Sequence, residues 1–398
     1  MRSFDELSEE EKSEFIRRYY EGENINETKK RFDVSGTMNR IINLFPPEEI
    51  DRRCDYCGSH LFRRRLLRDS YHKLGREDVF CIRCHHFPLI KNCRCAECKA
   101  RELDKINKAK QRIVEEYSQY EEPVDITQLD FTTRVYLGAL IRSCVNEDLF
   151  YVHPYNKTLK RLAPTDSMAE KIYKHLINQK VIVVDPSSSI GCFNLDSEKF
   201  PKEYSVFDVT YNLNILYPNN KKELLNEILY PDFYSSEHLE MAFDLWKEIA
   251  TYECIEFLQY HLDKVHFDFS PGDKTYATFD GMLNVFSVSQ IYCIIWRAVR
   301  DACHYYQKGN VSTNHAANSA VYNCRRISDN IMRNGWHVSD FTRPHDILQS
   351  EISLYFYNAV VKIGDRGLSV APNLDDLGIE KLKEIELKDD ESKWDGSN

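Results

Sequence analysis

The 398-residue sequence lacks long apolar runs and the signatures of common enzyme classes. Its longest strongly apolar stretch, Ile291 to Trp296, is far too short to cross a membrane. The acidic start has no apolar signal core, so we expect a cytoplasmic protein in a reducing setting. There is no Gly-rich phosphate-cradling loop, no nucleophile elbow and no His-Glu-x-x-His zinc helix. The best-known nucleotide-binding and hydrolase motifs are therefore excluded.

Cysteine, in contrast, is abundant and unevenly placed. Seven of the 13 cysteines fall between positions 54 and 98. Six of these seven form Cys-x-x-Cys pairs, and the seventh lies beside the last pair: Cys54/Cys57, Cys81/Cys84, Cys95/Cys98 and the single Cys93. Two residues between thiolates allow one tight turn to point both sulfurs at a single tetrahedral ion. Three such pairs in so short a segment predict that the chain binds zinc.

Seven thiolates and one imidazole supply the eight ligands that two closed structural sites require. The predicted first site consists of Cys54, Cys57, Cys81 and Cys84. The predicted second site consists of Cys93, Cys95, Cys98 and His85 or His86, with His85 as the assigned ligand. The alternative of pairing Cys81/Cys84 with Cys95/Cys98 stays open. Closed sites favour two structural Zn²⁺ ions over a catalytic one.

Charge is distributed as unevenly as cysteine. Residues 51–112 hold 17 Lys and Arg against 8 Asp and Glu, whereas residues 113–398 hold 28 against 43. The metal region is thus a basic island in an acidic chain, a pattern that suits a polyanion such as nucleic acid. The predicted phosphate contacts are Arg63, Arg64, Arg65 and Arg68. The alternative is that these arginines only solvate an exposed strand.

The first 45 residues predict three short helices. Ser8 and Glu11 form a capping box at the start of the first helix, and Pro46 follows the third. In the third helix, apolar residues at helical spacing predict a core-facing side: Met38, Ile41, Ile42 and Phe45. The opposite side is predicted to face outward: Thr37, Asn39, Arg40 and Asn43.

This segment also carries a resemblance. The stretch from Phe15 to Ser35, with its Tyr-Glu-Gly helix end and its Phe-Asp-Val-Ser before the third helix, resembles the helix-turn-helix of transposases and site-specific recombinases. The resemblance implies that the helix from Gly36 enters the DNA major groove, with Thr37, Asn39, Arg40 and Asn43 directed to bases or phosphates. The alternative is a small helical module that contacts protein.

The patterns together predict a mainly α, multi-domain chain. The predicted parts are a helix-turn-helix at 1–47, a zinc-binding ribbon at 51–100, a charged helical connector at 101–122, a winged-helix-like unit at 125–200, a helical domain at 201–371 and a disordered tail at 372–398. The winged-helix-like order rests on two helices, a strand Val181–Val184 and a second strand near Phe193. Its last helix would expose Lys171, Lys174, His175 and Lys180 to DNA.

One further set of residues has the composition of a phosphate-ester hydrolase pocket. Four polar residues share one face of the helix after Ser289: Arg297, Arg300, Asp301 and His304. They equally suit a polar network between helices, which we favour because nothing fixes a nucleophile or a pair of metal-binding carboxylates.

These observations predict a zinc-containing, DNA-binding protein, either a regulator or the targeting subunit of a mobile-element or phage-type system. A zinc-stabilised adaptor that binds proteins through its acidic helical body is the first alternative. A nucleic-acid hydrolase that uses the 297–304 helix face is the second. Catalysis is not expected, and neither is a membrane partner.

Overall fold

The computed structural model describes residues 2–70, 75, 78–118, 122–145, 151–216, 221–231, 234–309 and 311–378. It is mainly helical with small antiparallel sheets, which confirms the predicted class. The chain forms two compact units, Met1–Gln111 and Arg112–Asn398, here called the N-terminal and C-terminal units. In the stretches just given, no helix combines the length and apolar character that crossing a bilayer would require.

The N-terminal unit begins with helices and continues into a small sheet. Its elements are α1 Glu9–Glu21, α2 Ile25–Arg31, α3 Met38–Ile41, β1 Glu48–Arg53, β2 His60–Arg63, β3 Val79–Phe80 and the start of α4 Ala96–Tyr117. The predicted capping box is present, because the Glu11 N–H donates to Ser8 Oγ at 3.1 Å and the Ser8 N–H donates to the Glu11 carboxylate at 2.8 Å. Two donors at the start of α1 are thereby satisfied.

Aromatic side chains form the core of the helical part. The Phe4 ring lies 5.4 Å from that of Phe15 and 5.0 Å from that of Phe45, centroid to centroid. The third helix is shorter than predicted, because α3 continues only as the 3-10 turn Ile42–Leu44 before the Pro46 break. Its predicted inner side still packs against this core, with Ile41 and Phe45 buried.

The sheet of this unit is antiparallel in the order β1-β2-β3. The segment after β2 ties the sheet to α1. Tyr20 Oη donates to the carbonyl of Leu66 at 2.6 Å, and the Arg68 N–H donates to Tyr19 Oη at 3.0 Å. The helices and the sheet are therefore one unit and not two independent modules.

The C-terminal unit contains the end of α4, a second sheet and a helical body. Its elements are α5 Phe131–Cys144, β4 Tyr151–Val152, α6 Asp166–Asn178, β5 Ile182–Val184, β6 Tyr211–Leu213, α7 Lys221–Leu229, α8 Leu239–Lys264, α9 Asp273–Met282, α10 Val288–Gln307, α11 Thr313–Asn334, α12 Glu351–Tyr355 and α13 Arg366–Ser369. The predicted tail at 372–398 lies outside the described residues from 379 onward. Before that point, Asp375–Leu377 forms a 3-10 turn with Leu377 buried.

The second sheet is antiparallel in the order β4-β6-β5. The strand predicted near Phe193 is wrong: that segment holds the 3-10 turn Ile190–Cys192 and a single bridge from Phe193 to Tyr204. The partner of β5 is instead Tyr211–Leu213, beyond the predicted unit end at residue 200. A strand forms only where another strand pairs with it. The turn residues between 185 and 210 do not indicate which of the following apolar segments pairs with β5.

The outer face of α6 is occupied by ion pairs. Lys171 pairs with Glu248 of α8, and Lys174 pairs with Glu170 one turn away. His175, predicted to be exposed, is half-buried, and its Nε2 lies 2.6 Å from the Thr133 hydroxyl. Two of the three lysines that the winged-helix interpretation directed to DNA are therefore ion-paired, whereas the third, Lys180, is exposed.

The helical body packs around α8 and α10. The rings of Phe257 and Tyr292 stack at 3.9 Å with an interplanar angle of 6°. Gly138 in α5 allows α12 to approach closely, because an added Cβ would lie 2.3 Å from the Tyr355 ring. The segment between α8 and α9 begins with a turn at Val265 and His266, and Phe267 is buried.

Candidate metal centres and nucleic-acid surfaces

Two Cys-x-x-Cys turns of the N-terminal unit have matching backbones. In the first turn, the N–H of Gly58 donates to the carbonyl of Cys54 at 2.9 Å, and the N–H of Cys54 donates to Ser59 at 2.7 Å. In the second turn, the N–H of His85 donates to Cys81 at 2.9 Å, and the N–H of Cys81 donates to His86 at 2.8 Å. Position for position, His85 corresponds to Gly58 and His86 to Ser59.

This correspondence corrects the histidine assignment. Gly58 has φ +69° and His85 has φ +56°, so both lie in the left-handed region that closes the turn. In this conformation His85 is exposed, whereas His86 is buried beside the cysteines of the second group. The predicted ligand His85 therefore does not join that group, and His86 takes its place. The residue after a Cys-x-x-Cys turn closes the turn, which is a signal that the sequence already contained.

The first cluster brings together Cys54, Cys57, Cys81 and Cys84. The two turns face each other across the sheet, so that Cys54 Sγ lies 3.6 Å from Cys84 Sγ and Cys57 Sγ lies 3.4 Å from Cys81 Sγ. Both distances are far longer than a disulfide bond of about 2.05 Å. The structure thus adopts the first predicted pairing and not the alternative with Cys95 and Cys98.

The second cluster brings together His86, Cys93, Cys95 and Cys98. His86 Nδ1 lies 3.3 Å from Cys98 Sγ and 3.9 Å from Cys95 Sγ. Backbone N–H groups orient two of the thiols: Phe87 donates to Cys93 Sγ and Cys98 donates to Cys95 Sγ, each at 3.4 Å. One loop and the first turn of α4 supply all of these sulfurs.

Both clusters have the dimensions of a tetrahedral zinc site. Zn–S bonds of about 2.3 Å and Zn–N bonds of about 2.0 Å place tetrahedral ligands about 3.8 Å apart for S···S and about 3.5 Å apart for S···N. The distances above fall within a few tenths of an ångström of these values. Burial lowers the pKa of His86, which favours the neutral imidazole that can coordinate a metal. The residues present therefore fit two closed sites.

Tyr56 connects the two clusters. It belongs to the first Cys-x-x-Cys turn, yet its ring packs edge-on against that of His86 at 4.2 Å, and its Oη lies 3.5 Å from Cys98 Sγ. The guanidinium of Arg101 in α4 lies 4.1 Å above the same ring. The sequence did not predict this contact of Tyr56 with the second cluster, because nothing in its local sequence indicates a partner 42 residues away.

Three of the four arginines predicted to contact phosphate are used within the unit. Arg63 forms an ion pair with Glu48, and Arg65 donates to the carbonyl of Pro46 at 3.1 Å. Arg68 donates to the carbonyl of Glu23 at 3.3 Å and lies 5.4 Å over the Tyr19 ring. Arg64, by contrast, is exposed.

The outward side of α3 is arranged as predicted. Four polar residues are exposed, here called the α3 outer face: Thr37, Asn39, Arg40 and Asn43. Thr37 is also the N-cap position of α3, so it lies where the helix begins. Asn43 lies beyond α3, in the 3-10 turn Ile42–Leu44. Amide and guanidinium groups exposed in this way can contact base edges and phosphates.

The 297–304 face of α10 meets α11 in a polar groove. Asp301 is held by Arg326 of α11 at 2.9 Å and by Arg300 at 3.7 Å. The Asp301–Arg326 ion pair therefore joins α10 to α11 and engages that carboxylate. His304 is exposed at the groove wall, whereas Arg297 is half-buried and is not part of the lining.

No family model, curated protein or solved structure matches this chain.

Proposed function

We propose that this protein is a zinc-containing, DNA-binding protein that acts as a regulator or as the targeting subunit of a mobile-element or phage-type system. The observation that carries the proposal is that the α3 outer face and the two Cys/His clusters belong to one compact unit. Residues 1–47 act as a helix-turn-helix and residues 51–100 as a zinc-binding ribbon.

The zinc ions have a structural role in this proposal. Each cluster offers four protein ligands, so no open position remains for a substrate or a water molecule. The buried apolar part of the sheet region is small, with Leu61 and Val79 as its main aliphatic members. Metal–thiolate bonds therefore supply much of the folding free energy of this region.

In this proposal, the arginines that already make contacts within the unit position the neighbouring segments and do not bind phosphate directly. Arg65 and Arg68 hold the segment after β2 against the helices, as described above, and so fix the orientation of α3 relative to the sheet. Arg64 remains as the exposed cation of this group and is proposed to contact the DNA backbone.

The second sheet and its helices form a winged-helix-like unit with protein-binding character in this proposal. The order α5, β4, α6, β5, β6 supports the winged-helix likeness. The ion pairs of Lys171 and Lys174 favour contact with protein over contact with DNA, because neutralised lysines contribute little to counterion release.

The test measures DNA binding by the full zinc-loaded chain. A pool of random duplexes is enriched by repeated selection on the immobilised protein, and affinity for the selected site is then measured at rising salt. Arg40→Ala is expected to weaken binding to the selected site by about tenfold, because one base or phosphate contact is worth about 1–3 kcal/mol. Arg17→Ala is the control, since it removes the same charge from an exposed position on α1 where the arginine is paired with Glu14 and Glu21.

Equal affinity of the Arg40→Ala and Arg17→Ala variants would refute the proposed reading face. Absence of any duplex binding at low salt would refute DNA binding altogether and would favour the zinc-stabilised adaptor.

A further inference from the structure

A groove between α10 and α11 is not used by the proposed function. Its volume is about 670 Å³, which falls within the range of ligand-binding cavities. Its lining is polar and aromatic and includes His304, Tyr305, Lys308, His315, Tyr322 and Arg326. A cavity of this size exceeds what a single phosphate ion fills.

The charge of the groove contrasts with that of its surroundings. The C-terminal part of the chain, residues 113–398, is acidic, with 43 Asp and Glu against 28 Lys and Arg. In the groove lining, Asp301 is the single carboxylate, and its pairing with Arg326 leaves Lys308 as a further cation. His304 and His315 add imidazoles that can donate to an anion. The groove is therefore a locally cationic site on an acidic unit.

Two tyrosines give the groove flat apolar walls. Tyr322 is 67% exposed and Tyr305 is 40% exposed, so much of each ring is open to solvent. The Tyr305 ring lies 6.0 Å from the His315 imidazole, centroid to centroid. Exposed aromatic rings beside cations are the combination that binds unpaired bases and the phosphates between them.

We infer that this groove binds single-stranded nucleic acid. Lys308 and the two histidines contact the phosphates, and unpaired bases stack on Tyr305 and Tyr322. A duplex does not satisfy the groove, because its bases are stacked on each other and present no free ring face to the tyrosines. RNA and DNA single strands share this chemistry.

The site goes beyond the proposed function, which uses the N-terminal unit and duplex DNA. A protein with both sites would hold a duplex through α3 and a separate strand, such as a transcript or a displaced DNA strand, through the C-terminal unit.

The experiment measures fluorescence anisotropy of labelled oligouridine and oligothymidine strands of about ten nucleotides, each titrated with the full zinc-loaded chain at low salt. Tyr322→Ala is expected to weaken binding of at least one strand by about tenfold, and Tyr305→Ala by a similar factor. Tyr230→Ala is the matched control, because Tyr230 is 74% exposed and lies outside the groove. His337→Ala controls in the same way for His304→Ala.

Loss of affinity in the groove variants, with unchanged affinity in both controls and in Arg40→Ala, supports the inference, and the strand that binds more tightly identifies the source. Affinity that is unchanged by Tyr305→Ala and Tyr322→Ala overturns it. So does the absence of single-strand binding in wild-type protein whose helical circular dichroism and metal content are intact. Failure of the proposed duplex binding is a separate result, because Arg40→Ala affects the duplex and not the strand.

Discussion

The sharpest prediction concerns two adjacent histidines with opposite roles. His86→Ala is expected to abolish the second metal centre, whereas His85→Gly is expected to preserve both centres. Structural zinc binding is worth about 10–16 kcal/mol over four ligands, so one ligand contributes about 3 kcal/mol, or more than 100-fold in affinity.

The opposite expectation for His85 follows from its backbone. Its φ of +56° costs an L-residue about 1–2 kcal/mol, and glycine removes that cost. Glycine also loses about 0.5–1 kcal/mol through the greater entropy of the unfolded chain. The free energy of unfolding of His85→Gly should therefore be unchanged or raised by about 1 kcal/mol.

The assay counts metal ions per chain by native mass spectrometry and elemental analysis after dialysis against a weak chelator. Wild type and His85→Gly are expected to hold two ions, and His86→Ala one. Cobalt substitution provides an independent measure, since thiolate-to-cobalt absorption should fall by about half in His86→Ala, with three of the seven thiolates losing their ion. Two ions in His86→Ala, or one ion in His85→Gly, would refute the equivalence of the two turns.

Three further predictions follow from the same structure. Tyr56→Ala should weaken zinc binding at the second centre by about 10- to 100-fold, because it removes both the ring against His86 and the hydroxyl near Cys98; Tyr56→Phe, which keeps the ring, should lose less in a chelator competition. Arg64→Ala should reduce the salt dependence of duplex binding by about one charge without changing the melting temperature. Arg68→Ala, in contrast, should lower the free energy of unfolding by about 1–3 kcal/mol, because its contacts to backbone carbonyls are lost. Destabilisation by Arg64→Ala together with a change of salt dependence alone in Arg68→Ala would contradict the assignment. Burial raises the pKa of Glu256 to about 7 from its ordinary value of 4.5, against the opposing effect of its ion pairs with Arg161 and Arg343, so the folded protein holds a proton that the unfolded chain releases. The free energy of unfolding should therefore fall by up to about 3 kcal/mol as the pH rises from about 4.5 to about 7. Denaturant titrations measure this fall, and the same fall in Glu256→Gln would refute Glu256 as its cause.

Spacing along the chain determined much of the N-terminal unit. A Cys-x-x-Cys pair is local, so the sequence specified which cysteines share a turn, and the period of Met38, Ile41 and Phe45 specified which side of α3 faces the core. The capping box of Ser8 and Glu11 is equally local, since both hydrogen bonds join residues three apart.

Tertiary structure decided every contact between distant segments. The sequence left open which two turns share an ion. It assigned His85 because two adjacent histidines are equally able to ligate a metal until the backbone directs one of them inward. It counted Arg68 as a free cation, whereas the fold places it against Tyr19. Composition gives the number of charged groups, but only packing determines which of them are already paired, and an internally paired group is not available to a ligand.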